Sequence, residues 1–325
     1  MRVRRPLFMI FALYGLAASS GVAMAQNFPS RPVTGIVPAP PGGPLDVLVR
    51  VMGERMRQSL GQPLVIENVG GAGGTVGVGR VVRATPDGHT LSVGYLGTHV
   101  LNGAFFRLQY DLLKDFEPVA MLPSTPLLIA GKRALPANSL PELMDWLRTH
   151  SASVATPGIG SPSHVMGVSL QNLAGTSVQF VHYRGGGPAL QDLLAGHIDL
   201  LINQPSILLP HLRENKIKVY AVLSKNRLPQ APDIPTADEQ GAPDFHMSVW
   251  HGLWAPKGTP KNIVAMLNAA VVETMADATV RSRLIEMGYV IPAREQQTPE
   301  ALGVLQKAEI EKWWPIIKAA GIKPE

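Results

Sequence analysis

The sequence predicts an α/β protein of two lobes, each a mostly parallel sheet flanked by helices, with a ligand cleft between the lobes. Three observations carry this. Short apolar runs alternate with segments of helical periodicity along most of the chain, the pattern of a parallel sheet with helices on its faces. A Pro- and Gly-rich strand-to-helix loop occurs once in each half, at Val37–Asp46 and again at Thr156–His164. The length, 325 residues, accommodates two such units.

The first loop follows Val33–Val37, which reads as a buried strand. After it, Leu45, Leu48, Val49, Met52, Met56 and Leu60 recur at three- and four-residue steps, a helix face that Gly61 ends. Pro44 fits the first helical turn, where its missing N–H costs nothing. The free amides of that turn and the positive end of the helix dipole favour an anion, and Gly42 and Gly43 allow a ligand close to the backbone. In the second loop, Ser153–Thr156 is the strand, Pro157 to Ser163 the turn, and Ser163 the expected cap of a helix ending at Gly175. Two such sites in separate halves are expected to grip one small anion.

Between and beyond these loops the alternation continues. Leu64–Ile66 is a strand, Asn68 to Gly74 a glycine-dense loop, Val76 to Val82 a helix and Thr90 to Val93 a third strand. The segment Gly94 to His99 lies at that strand's carboxyl end, where open α/β sheets bind ligands. Leu127–Ala130 is a strand and the expected crossing into the second lobe. Ser139-Leu140-Pro141-Glu142 is a capping box. Strands then follow at Val178–Val181, Ile198–Ile202 and Val219–Leu223, with helices from Pro188 and Ser206 between them. The apolar, aromatic run Met247–Ala255 leads back to the first lobe, and three capped helices close the chain. The expected division is 26–125 with 251–325 for one lobe and 126–250 for the other, with a hinge near 124–127 and 249–252. Trp250, Trp254, Trp313 and Trp314 read as core.

Composition excludes several classes. There is no cysteine, hence neither a disulfide framework nor a thiolate metal site. The start carries Arg2, Arg4 and Arg5, then an apolar run from Leu7 to Ala18, then the small-x-small pattern Ala23-Met24-Ala25. This is a secretory signal peptide over 1–25, cleaved near Ala25, and it places the expected protein in the periplasm. Removing three arginines leaves 26 basic against 24 acidic residues, so the basic balance is no case for nucleic acid. The nine histidines form no HExxH, and no phosphate-loop, dinucleotide or nucleophile-elbow motif occurs. No cofactor and no metal is expected, and a monomer is.

Together, Val37-Pro38-x-x-Pro41-Gly42-Gly43-x-x-Asp46, Glu67-Asn68, Pro86-Asp87-Gly88-x-Thr90-Leu91, Asp111-Leu112-x-Lys114-Asp115-Phe116, Tyr183-x-Gly185, Pro188-Ala189, Asp199-Leu200 and Pro256-x-Gly258-Thr259-Pro260 resemble the Bug (TctC-like) family. These are periplasmic solute-binding proteins of tripartite tricarboxylate transporters, and the resemblance covers essentially all of the mature chain. It implies a type II-like periplasmic-binding-protein fold. It also implies a small carboxylate held by backbone amides and hydroxyls of one loop per lobe, then offered to transporter subunits or a sensor kinase. On this chain the implied ligand-binding residues are Ala39, Pro40, Gly42, Gly43, Leu45 and Asp46 in the first loop. In the second they are Thr156, Gly158, Gly160, Ser161, Ser163 and His164, with Thr98, Asn102, Tyr183 and Asn203 around them. Asp46 is expected at the far end from the carboxylate, since like charges repel at short range.

The chain departs from the family pattern at three places. Ala39 stands where an aromatic is usual, Pro44 and Leu45 where glycine and threonine are, and Asn203 where an aspartate is. The first loop is therefore stiffer, less polar and roomier, which points to an aromatic or otherwise bulky monocarboxylate. Two rival readings are a periplasmic serine hydrolase using Ser161 or Ser163 with His164, and a sensory or interaction protein with a vestigial cleft.

Overall fold

The computed structural model describes residues 28–319, so the expected signal peptide lies outside the described residues. The first sheet starts from β1 (Val33–Val37), β2 (Leu64–Asn68) and β3 (Thr90–Tyr95), all parallel. The sheet is completed by β4 (Phe116–Pro126) and β10 (Ser248–Pro256), in the order β2-β1-β3-β10-β4. The second sheet contains β5 (Leu128–Lys132), β6 (Ser153–Thr156), β7 (Gln179–His182), β8 (Leu200–Asn203) and β9 (Ile217–Val222), in the order β7-β6-β8-β5-β9. The two sheets share one plan. In each, one strand next to the edge, β10 or β5, runs against the other four. Those are the two strands the chain uses on entering a new lobe. The fold is the two-lobe α/β architecture expected.

The strand β4 has no clear sequence signal, because Pro118, Pro123 and Pro126 interrupt its apolar pattern. It forms because it is an edge strand, where a missing N–H can face away from the ladder. The chain crosses between lobes at Leu127, whose N–H donates to the Met247 carbonyl at 3.3 Å and whose carbonyl accepts from Leu223 at 2.9 Å.

The helices are α1 (Pro44–Leu60), α2 (Thr75–Val82), α3 (Asn102–Phe105), α4 (Leu140–Thr149), α5 (Pro162–Ala174), α6 (Gly186–Ala195), α7 (Pro205–Arg213), α8 (Lys261–Ala276), α9 (Ala278–Glu286) and α10 (Pro299–Ala319), and all but the short α3, which no periodicity announces, follow the periodicity and stop signals of the sequence. Gly61 takes φ +68° and returns its N–H to the Arg57 carbonyl, the left-handed stop that glycine permits. The face of α1 carrying Leu48, Val49, Met52 and Met56 is buried against the first sheet and α8. α10 returns to the first lobe. Its Gln306 amide donates to the carbonyls of His99 and Leu112 and accepts from Trp254 Nε1 at 3.0 Å. Trp250, Trp254 and Trp313 are buried as expected, whereas Trp314 is 38% exposed, its indole N–H bonded to the Val100 carbonyl.

Candidate functional site

The carboxyl ends of β1, β2, β3, β6, β7 and β8 open on one cleft of about 720 Å³ between the lobes. Three of its walls follow β1, β2 and β6: Pro38–Leu45, Gly70–Gly74 and Pro157–Ser163, of which Gly160 is not a lining residue. The loop Tyr183–Pro188 follows β7, and Asn203 ends β8 with Gln204 next to it. This is the edge where α/β sheets place ligands, since strand ends and helix N-termini meet there.

The first loop is held by Asp46. It stands at the third position of α1, and its Oδ2 accepts the Gly42 N–H at 2.8 Å. Oδ1 accepts from Asn68 Nδ2 at 3.0 Å, and Arg50 Nε bonds both oxygens at 3.0 Å. Asn68 also donates to the Ala39 carbonyl at 3.2 Å. Burial alone would push the Asp46 carboxyl up. The hydrogen bonds from Arg50, Gly42 and Asn68, with the charge of Arg50, more than offset it and hold the group below its ordinary value. Asp46 is 2% exposed and does not line the cleft, so it fixes the loop from behind.

The second loop is built the same way. Ser161 caps α5, its Oγ accepting the His164 N–H at 3.2 Å, which corrects the expectation of Ser163 as cap. His164, again third in its helix, accepts the Gly160 N–H on Nδ1 at 3.2 Å. A ring nitrogen that accepts carries no proton, so this His164 is neutral. Burial, and then the neighbouring His182, lower its pKa to about 4. His164 too lies behind the wall, packed against the rings of Phe105, Phe180 and His182.

These bonds narrow the set of amides left free for an anion. The amides of Gly42 and Gly160 are taken by Asp46 and His164. Proline stands first in both helices, so the donors left without intrahelical partners begin one residue later, at Leu45 and Ser163, which both line the cleft. Gly42 is needed for its φ of +76° rather than for room, since a Cβ there would meet nothing within 4 Å.

The structure brings Ala39, Pro40, Gly42, Gly43, Leu45, Asn102, Gly158, Ser161, Ser163, Tyr183 and Asn203 to the cleft wall. It places Asp46, Thr98, Thr156, Gly160 and His164 off that wall. Thr98 Oγ1 accepts the Tyr95 N–H at 3.1 Å and is fully buried. Thr156 Oγ1 is 2.6 Å from His182 Nδ1, beneath Gly158. Asn102 donates to the Gly73 carbonyl at 3.0 Å, tying the glycine loop to the turn after β3. The Tyr183 hydroxyl donates to Asp192 at 2.6 Å; burial and that carboxylate push its pKa up to about 12, so its ring, not its ionisation, serves the wall.

Leu127, Tyr95, Arg184, Gln204, Val249 and His251 also line the cleft. Sequence reasoning did not single them out. Arg184 sits inside the Tyr183-x-Gly185 motif, and His251 is the one imidazole in the apolar run that became β10. Arg184 is the only formally charged lining side chain among the described residues, and no carboxylate lines the cleft. Ser161 and His164 do not form a nucleophile–base pair in this arrangement. The hydroxyl caps a backbone amide and Nδ1 is occupied by another. Among the described residues, no group of His, Asp and Glu is placed to hold a metal ion.

The sequence model of the tripartite tricarboxylate transporter family receptor matches residues 48–322. The chain belongs to this family. A UPF0065 protein from the TAR-I ttuE-ttuC' intergenic region of Agrobacterium vitis is 38% identical over 303 residues, covering 92% of this chain and 88% of that one. Among solved structures, the periplasmic binding protein BugD superposes with a TM-score of 0.87 at 35% identity, covering 92% of this chain and 100% of BugD. MatC (Rpa3494) from Rhodopseudomonas palustris, solved with bound malate, gives 0.85 at 42% identity, covering 89% of this receptor and 100% of MatC.

Proposed function

We propose that this receptor works in the periplasm, where it captures a small carboxylate between its lobes and presents it to a membrane transporter or a sensor. One observation carries the reading. The N-terminal ends of α1, α5 and α6 converge on a cleft that no carboxylate lines. Each end contributes partial positive charge and first-turn amides that have no intrahelical acceptor, and together they favour an anion. The malate bound to MatC is consistent with this chemistry.

The finer reading is an aromatic or otherwise bulky monocarboxylate. Ala39 leaves the first wall without a ring, and Pro38, Pro40, Pro41, Leu45, Leu127, Ile159 and Val249 give the cleft an apolar lining. Such a ligand gains from apolar burial while its acid group takes the amides. Mass spectrometry of the small molecules released from purified protein by gentle denaturation, followed by calorimetry with each, tests both levels. A bound organic acid of aromatic or branched type is the expected result. Binding of only small aliphatic dicarboxylates or tricarboxylates rejects the finer reading, and failure of every acid to bind rejects the receptor.

A further inference from the structure

The residues of the proposed cleft carry a set of neutral polar atoms, donor and acceptor, that a bare carboxylate satisfies only in part. His251 is fully buried on β10 and lines the cleft. Its Nδ1 lies 2.6 Å from the Pro123 carbonyl. A carbonyl only accepts, so Nδ1 carries the ring proton and Nε2 is a bare lone pair. That Nε2 has no hydrogen-bond partner.

From the other lobe comes Asn203, at the end of β8 and 4% exposed. Its Oδ1 accepts the Gln204 N–H at 2.8 Å, which settles which end of the amide is which. Its Nδ2 donor is left unpartnered, in the space that Gly186 provides by having no Cβ. Gln204 Oε1 is a second unpartnered acceptor on the same wall. Buried polar atoms without partners are rare in folded proteins, and three of them on residues that line one cleft point to a group that belongs there.

A carboxylate can accept from Asn203 but is repelled by the lone pair of His251. An ammonium can donate to His251 but is repelled by the Asn203 amide. A hydroxyl does both, since it donates one proton and accepts on its oxygen. We infer that the ligand is a hydroxylated carboxylic acid, with a hydroxyl group donating to His251 Nε2 and accepting from Asn203 Nδ2. This rests on the receptor reading above and adds a second specificity element to it. The amides of the helix ends take the acid, and one side chain from each lobe reads the hydroxyl. Asn203 suits this role better than an aspartate would, because a charged oxygen there would oppose the acid group.

The test is calorimetry on the mature protein with matched pairs differing by one hydroxyl: succinate with malate, benzoate with 4-hydroxybenzoate, and 3-phenylpropanoate with 3-phenyllactate. In the pairs that bind, the hydroxylated member is expected to bind about 10- to 100-fold more tightly, the range set by leaving buried donors and acceptors unmet. His251→Phe and, independently, Asn203→Leu are expected to erase that ratio, each after its thermal transition has been shown cooperative. Equal or tighter binding of the deoxy member by wild-type protein overturns the inference while leaving the receptor standing. Retention of the ratio in both variants overturns it as well. If no acid of any pair binds, the receptor reading falls, and this inference with it.

Discussion

Asp46 and His164 hold equivalent places in the two lobes: each is third in its helix, follows a first-turn proline by two residues, and accepts the amide of a glycine at positive φ four residues back. The equivalence is geometric, not chemical. Asp46 performs the task ionised, supported by Arg50 and Asn68. His164 performs it neutral, and a positive charge at a helix N-terminus would be unfavourable in any case. The two halves of the cleft therefore respond differently to acid.

The first prediction concerns that difference. His164 has a folded pKa of about 4, below its ordinary value of 6.5. Between those values the unfolded chain binds the proton and the folded one does not, so stability is lost as pH falls through this window, by up to about 1.4 kcal/mol per pH unit. Near pH 4 the ring protonates in the folded state and Nδ1 can no longer accept from Gly160. Ligand affinity should then fall. Protonation of the ligand itself is removed from the comparison by His164→Asn, whose amide oxygen accepts at every pH. The ratio of wild-type to variant affinity should decline between pH 6 and pH 4, and a ratio independent of pH rejects the role given to His164.

Removing the acceptor in the first lobe has a different signature. Asp46→Ala leaves the Gly42 amide without its acceptor Oδ2 and takes from Asn68 Nδ2 its bond to Oδ1. The expected cost is about 3 kcal/mol in urea denaturation, the range for buried donors left unmet, with weaker binding besides. Because the Asp46 carboxyl is held below 3.8 by its partners, its contribution is present above that pH and is lost as pH falls through the folded value. The variant should thus lose the acid-dependent part of the stability that wild type shows there. Asp46→Asn, which keeps one oxygen, should recover part of the loss.

Much of this was legible in the sequence, and the reasons differ by residue. Pro44, Gly61 and Gly175 punctuate helices through backbone constraints that act locally, so a local reading finds them. The two strand-to-helix loops were legible for the same reason. What the sequence does not display is which amides remain free. That depends on Asp46 and His164 turning back onto Gly42 and Gly160, and a side chain able to face the ligand or the loop is not distinguished by its spacing. β4 was hidden by its prolines, which only an edge position tolerates. His251 was hidden by distance. It reaches the cleft because β10 pairs with β3 and β4, a contact across more than a hundred residues.

Ala39 offers a test of the room in the cleft. Ala39 lines the wall while its carbonyl is held by Asn68, so the backbone has an anchor that a larger side chain need not disturb. Ala39→Phe should fill part of the about 720 Å³ and discriminate by size. Bulky aromatic acids are expected to lose about 10-fold or more in affinity, as overpacking of a formed site costs on the order of 1–3 kcal/mol. Small acids should be affected less, and uniform weakening of both by calorimetry would show that Ala39 does not set the size limit.

The lobes meet where glycines of one face bulky residues of the other. Gly160, at φ +73°, has no room for a Cβ, which would lie 2.8 Å from Phe105 Cδ2 in the first lobe. Gly185 packs on Pro40 more loosely, with 3.2 Å from a Cβ to Cγ. Gly160→Ala should therefore hinder the approach of the lobes, beyond the roughly 1–2 kcal/mol that a left-handed conformation costs an L-residue. Gly196→Ala separates the two effects, because Gly196 has φ +79° but nothing within 4 Å of a Cβ. Both variants should lose similar stability from backbone strain. Only Gly160→Ala should also weaken ligand binding and enlarge the ligand-bound radius of gyration in solution scattering. Equal binding by the two variants would mean that the contact of Gly160 with Phe105 plays no part in bringing the lobes together.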